Sequence, residues 1–245
     1  MTSTEPEILT NEFLTKGMAG IEPRIDQLQA SSEQRLKLLD SIRNGINKIY
    51  IETKQLDRMQ EIYDACISEA LAFGNANGDE KFLAYANVTS YNLAANLADC
   101  WLDAEENRTT KHFKAGVKSA ELCLDLRVRL NKPPAAMAMA YFLLGVHKYS
   151  LRQYTSAEDA WVNKLDFELR NQETPPNGSA DLNVVLSRGL IGLARWSSGV
   201  DNKSEYKKSL EKLSAIRNSE NYREVDLFAS ELELLMQKHG PGTSQ

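Results

Sequence analysis

Two arginines, Arg188 and Arg195, stand seven residues apart in a helix-forming stretch, which places them on one helix face. A guanidinium is planar, permanently charged and carries its donors in a fork that fits a carboxylate. Two on one surface suit an acidic peptide or a carboxylate ligand. The bland alternative is that each pairs with an acidic neighbour or faces solvent. Other chemistry finds less support. The histidines, His112, His147 and His239, have no second ligand at i, i+4, and HExxH does not occur, so no metal is expected. GxSxG, a phosphate loop of the GxxxxGK[ST] type and GxGxxG are also missing, so no cofactor is expected. Carboxylates cluster in "DAEENR", "SAEDAW" and "ASELELL". A paired-carboxylate hydrolase would need two of them in one cleft with separated pKa values. Solvated helix faces explain them more simply, and Glu158 and Asp159 suit the positive end of a helix dipole. Trp101, Trp161 and Trp196 read as core residues rather than stacking platforms.

The elements that would position these residues are helices. The chain has 245 residues, 42% of them hydrophobic, enough for a sizeable core. Its 29 basic and 34 acidic residues give a net charge of −5, which argues against nucleic acid as a partner. Cys66, Cys100 and Cys123 are odd in number and widely spaced, so buried reduced thiols are expected rather than a disulfide framework. The opening "MTSTEPEILTNEF" lacks a basic start and an apolar core, and no apolar run approaches membrane-spanning length. A cytoplasmic protein without membrane insertion is expected.

Helical periodicity covers nearly the whole chain, and period-two alternation is missing, so the fold class is all-α with about ten or eleven helices. An amphipathic stretch with Phe13, Leu14, Met18, Ile21, Ile25 and Leu28 is interrupted by Pro23. Ser31-Ser32 offers an N-cap to a helix carrying Leu36, Leu39, Ile42, Ile46 and Ile49. Its partner carries Met59, Ile62, Tyr63, Cys66, Ile67 and Leu71 and stops in "GNANGD". Further helices are predicted over about 81–102, 112–130, two around "SLRQYT", 180–198 with Asp181 as a possible cap, 204–217, and 222–238 with Val225, Phe228, Leu232 and Leu235 buried. "NKPPA" sets a proline at the start of the helix before "SLRQYT".

Residues 141–165, "YFLLGVHKYSLRQYTSAEDAWVNKL", carry a further order. Tyr141 precedes Leu144-Gly145 by three positions, and Ala157 precedes Trp161 by four. This resembles the tetratricopeptide repeat, W-x2-L-G-x2-Y…A-x3-F…P, in which small residues sit where two helices cross. Lys148 departs from the pattern at the second Tyr, and Leu169 at the Pro. Leu93-Ala94 and Leu193-Ala194 form weaker flanking copies. Ala94, Gly145 and Ala194 recur about every 50 residues, against 34 in the standard repeat.

The resemblance implies a single domain over 1–245, a right-handed α-solenoid of antiparallel hairpins. Residues 80–217 would form the repeat hairpins, 11–79 an N-terminal capping hairpin and 222–238 a C-terminal capping helix, with 1–10 and 239–245 as flexible tails. In that family the first helix of each hairpin lines a concave groove. Tyr91, Asn92, Phe142, Tyr149, Arg188 and Arg195 are the groove residues it implies here, with Met139 and Val88 beside them. The implied function is a non-catalytic adaptor or scaffold that binds a peptide or protein partner. The rivals are an obligate subunit of an assembly, and an all-α enzyme using carboxylates with Tyr91 or Tyr149. Oligomeric state is not legible.

Overall fold

The computed structural model describes residues 31–53, 55–101, 108–171, 179–201, 203–217 and 222–243. The amphipathic stretch from Phe13 to Leu28, both predicted tails apart from residues 239–243, most of "DAEENRTTK" and most of "NQETPPNGSAD" lie outside these residues. The described residues are helical and include no strand. The helices are α1 (Ser32–Thr53), α2 (Leu56–Asn77), α3 (Glu80–Leu97), α4 (Thr110–Arg129), α5 (Pro134–Ser150), α6 (Tyr154–Asn171), α7 (Ser179–Ser197), α8 (Ser204–Arg217) and α9 (Tyr222–His239). None of the described helices is long and apolar enough to cross a membrane. The chain divides into two compact units, Met1–Leu93 and Ala94–Gln245, with the division inside α3.

In the first unit α1 starts as its sequence dictates. The Gln34 amide donates to Ser31 Oγ and the Ser31 amide donates to Gln34 Oε1, a reciprocal cap that satisfies two otherwise orphan donors. Leu39, Ile42 and Ile46 of α1 are buried at helical spacing with Met59, Ile62, Tyr63, Cys66 and Ile67 of α2, while Leu36 and Leu71 are only partly covered. The α2 helix runs through the Gly-Asn segment expected to stop it and ends at Gly78, whose φ of 64° is open to glycine at no steric cost. The α3 segment adds Phe82 and Tyr85, and the Tyr85 hydroxyl donates to the Leu39 carbonyl at 2.7 Å.

In the second unit each helix from α4 to α8 packs on its sequence neighbour, because short loops turn the chain straight back. Pro134 occupies the first turn of α5, where its missing N–H costs nothing. At the other end Arg152, at φ 59°, makes the turn into α6. The N-terminus of α4 is closed by His112, whose Nδ1 accepts the Thr109 amide at 3.0 Å. Asp181 falls inside α7 rather than at its cap. The last helix, α9, breaks the neighbour-only pattern. It packs on α8, on α7 and on α5, burying Val225, Leu232 and Leu235, with Phe228 partly covered. All three cysteines are buried and free, and burial pushes the Cys66 thiol up to about 12.

Candidate functional site

The repeat residues occupy a helix crossing. Gly145 lies against the indole of Trp161, so closely that a Cβ there would come within 2.1 Å of Nε1. Ala157 and Trp161 are fully buried, Leu144 is buried, and Tyr141 stacks on Phe167 at 5.7 Å between ring centres. Leu93, Ala94, Leu193 and Ala194 are all fully buried. In the hairpin of α7 and α8, however, the close approaches fall at Gly189 and Gly192 rather than at Ala194.

The six groove residues do not form one surface. Tyr149 is 0% exposed; its hydroxyl shares a 2.7 Å hydrogen bond with Ser197, and its ring lies 5.6 Å from Trp161. Phe142 is buried too, 6.2 Å from Trp101. Both therefore belong to the core, which corrects their assignment to a groove. The physical reason is that α4, α6 and α9 all cover α5, and a helix that is apolar nearly all round is an interior helix. Met139 keeps an outward position at 48% exposed. Arg188 and Arg195 are exposed. The Nε of Arg195 donates to Glu158 Oε1 at 2.7 Å, the plain ion pair that was its alternative, while Arg188 has no ion-pair partner among the described residues. Tyr91 and Asn92 are half-buried in the first unit.

Sequence spacing missed two polar clusters in the second unit. The first centres on Asp99, 7% exposed. His239 Nε2 lies 3.1 Å from Asp99 Oδ2, Lys238 donates to Oδ1, and Arg108 stands 3.8 Å from Oδ1. Burial pushes the Asp99 carboxyl up, but the hydrogen bonds from His239 and Lys238 outweigh it and hold it below the usual range. An ionised carboxylate only accepts, so Nε2 carries the proton and donates. His239 is thus the buried end of α9, not tail, and its ring meets Phe113 edge-on at 5.3 Å. Its other nitrogen, Nδ1, is buried with no hydrogen-bond partner among the described residues. This buried Asp–His pair ties the C-terminal end of α9 to Asp99.

The second cluster surrounds Lys164, 3% exposed. Its Nζ donates to Ser187 Oγ at 2.7 Å and to the Asn183 carbonyl at 3.4 Å, and pairs with Glu168 at 3.5 Å. Burial lowers its pKa, and the Glu168 charge offsets this only in part. Glu231 of α9, also 3% exposed, has its carboxyl pushed up to about 8 by burial, against the pull of Lys164. His147 is buried on α5, where it donates from Nε2 to the Ala94 carbonyl at 2.9 Å, and burial lowers it to about 4. No signal short of three-dimensional proximity could have joined Asp99 to His239, since 140 residues separate them. Among the described residues no group of three or more His, Cys, Asp or Glu could hold a metal ion. No family model, no curated protein and no solved structure matches the chain.

Proposed function

We propose that this protein is a non-catalytic interaction module whose helical hairpins, arranged in the manner of a tetratricopeptide solenoid, present a binding surface to a peptide or protein partner. Arg188 carries this reading. It is an exposed guanidinium on α7 with no ion-pair partner among the described residues, and so its fork is available to a carboxylate. Arg195 extends the same helix face by two turns but is already engaged by Glu158. Met139, half-exposed on α5, supplies an adaptable apolar contact of the kind binding surfaces use. The test is affinity purification of the intact chain beside its Arg188→Glu variant, with circular dichroism to verify folding. A partner captured by the parent should be lost from the variant. Equal capture by both would remove the arginine from the binding surface.

A second reading, a subunit of a larger assembly, is favoured by Val162 and Leu169. They lie seven apart on one face of α6, 44% and 45% exposed. A purified chain with monomeric mass at working concentration would count against self-assembly through that face.

A further inference from the structure

The α9 helix sits in the second unit as a ligand sits in a site. It spans about 27 Å at 1.5 Å per residue and packs on three helices, α5, α7 and α8, of which only α8 is its neighbour in the chain. Its central anchor is Leu232, fully buried. Gly189 of α7 makes the socket: a Cβ there would stand 2.8 Å from Leu232 Cδ1. Its C-terminal end is held by charge, with Lys238 and His239 on Asp99. Next to the anchor, on the side away from the tie, lies Glu231, whose Oε2 is buried with no hydrogen-bond partner among the described residues. A purely structural helix gains nothing from a buried, unmatched carboxyl, whose desolvation weakens its hold. The Asp99 tie fixes direction and register, which is the service buried charge performs in recognition. The opposite face of α9 carries Leu227, Glu233 and Gln237 to the exterior.

We propose that the seat of α9 is a helix-binding site and that α9 is its displaceable intramolecular occupant, so that a partner's amphipathic helix of the same chemistry exchanges with it. That chemistry is legible from α9 itself. It has apolar residues at the spacing of Val225, Leu232 and Leu235, and a Lys-His pair one turn beyond the last of them, which Asp99 captures. The mode is helix in groove, with the free protein held closed by its own segment. The seat meets α7 at Gly189, about 100° round the helix from Arg188, so this site stands apart from the arginine surface and fails or survives separately.

The test uses the full chain and a fluorescein-labelled peptide of residues 222–243. The double variant Lys238→Ala/His239→Ala loosens the resident helix and leaves the seat intact. It should bind the peptide at least about tenfold more tightly than the parent, because apparent affinity scales with the open fraction. Adding Asp99→Asn should erase that gain. Amide exchange should quicken in α9 while α4 to α6 stay protected. Should the double variant not fold, Lys238→Ala alone serves, since that side chain is 25% exposed. The proposal falls if the variant gains no affinity, or if α9 exchanges only together with α4 to α6. A variant that runs as a dimer would show a second copy's α9 in the seat and would overturn the heterologous partner.

Discussion

Gly145 of α5 touches the indole of Trp161 of α6 so closely that no side chain fits between them. The indole N–H donates to the Phe142 carbonyl at 3.3 Å, so the ring cannot swing away without losing a buried hydrogen bond. Alanine would bring roughly 1 kcal/mol of helix propensity over glycine. Overpacking typically costs about 1–3 kcal/mol, and the fixed indole makes that the larger effect. Gly145→Ala should therefore lower stability, and Gly145→Leu should lower it further. The midpoint of urea unfolding reads both. An unshifted midpoint for the alanine variant would mean that the two helices stand further apart in solution.

His147 rests on Gly116 in the same manner, with a Cβ at Gly116 falling 2.2 Å from the ring. Burial holds the imidazole neutral down to about pH 4, against 6.5 for an ordinary histidine. The unfolded chain thus takes up a proton that the folded chain refuses between those values. Stability contributed by this residue is full above pH 6.5 and is lost as pH falls towards 4. The shift corresponds to about 3 kcal/mol in all. His147→Gln should be less stable at pH 7, yet its stability should fall less steeply between pH 6.5 and 4. Parallel profiles for parent and variant would contradict the burial of the ring.

The helices were legible in the sequence because their signals are local. Ser31 with Gln34, Pro134 at a first turn, and the period of Leu39, Ile42 and Ile46 each act within a few residues. The crossing of Gly145 with Trp161 was legible for a related reason, since a two-helix hairpin is still nearly local. What faces outward was harder to read. Phe142 and Tyr149 lie on α5, and α9, returning from the far end of the chain, takes part in covering that helix. The same return buries His239 beside Asp99, which no pattern in either segment announces. Arg195 illustrates a subtler limit: its face was right, but Glu158 had already claimed its charge.

Two substitutions separate core polarity from surface charge. The hydroxyl of Tyr149 is matched to Ser197 inside the protein, so Tyr149→Phe leaves the Ser197 hydroxyl without that partner. It should cost about 1 kcal/mol. The Arg195–Glu158 pair is 44% and 21% exposed, and Arg195→Ala should cost less than roughly 1 kcal/mol and less still in high salt. Thermal unfolding at low and high ionic strength measures both. A large, salt-sensitive loss at Arg195 would show the pair to be better shielded than its exposure implies.

Glu231 gives the chain an alkaline liability. In the folded state its carboxyl keeps a proton up to about pH 8, because burial disfavours the charge more than Lys164 favours it. The unfolded chain releases that proton near 4.5. Stability from this residue is therefore full below pH 4.5 and is lost as pH rises through 8, opposite in sign to His147. Lys164 is lowered by its own burial, against the upward pull of Glu168 and, more weakly, of Glu231 itself. Glu231→Gln keeps the shape and removes the ionisation. It should flatten the parent's decline between pH 4.5 and 8 and leave the variant the more stable of the two at pH 8. Denaturant titrations at pH 5 and pH 8 decide it, and a parent-minus-variant difference that is equal at both would mean that Glu231 ionises freely, with water reaching it beneath α9.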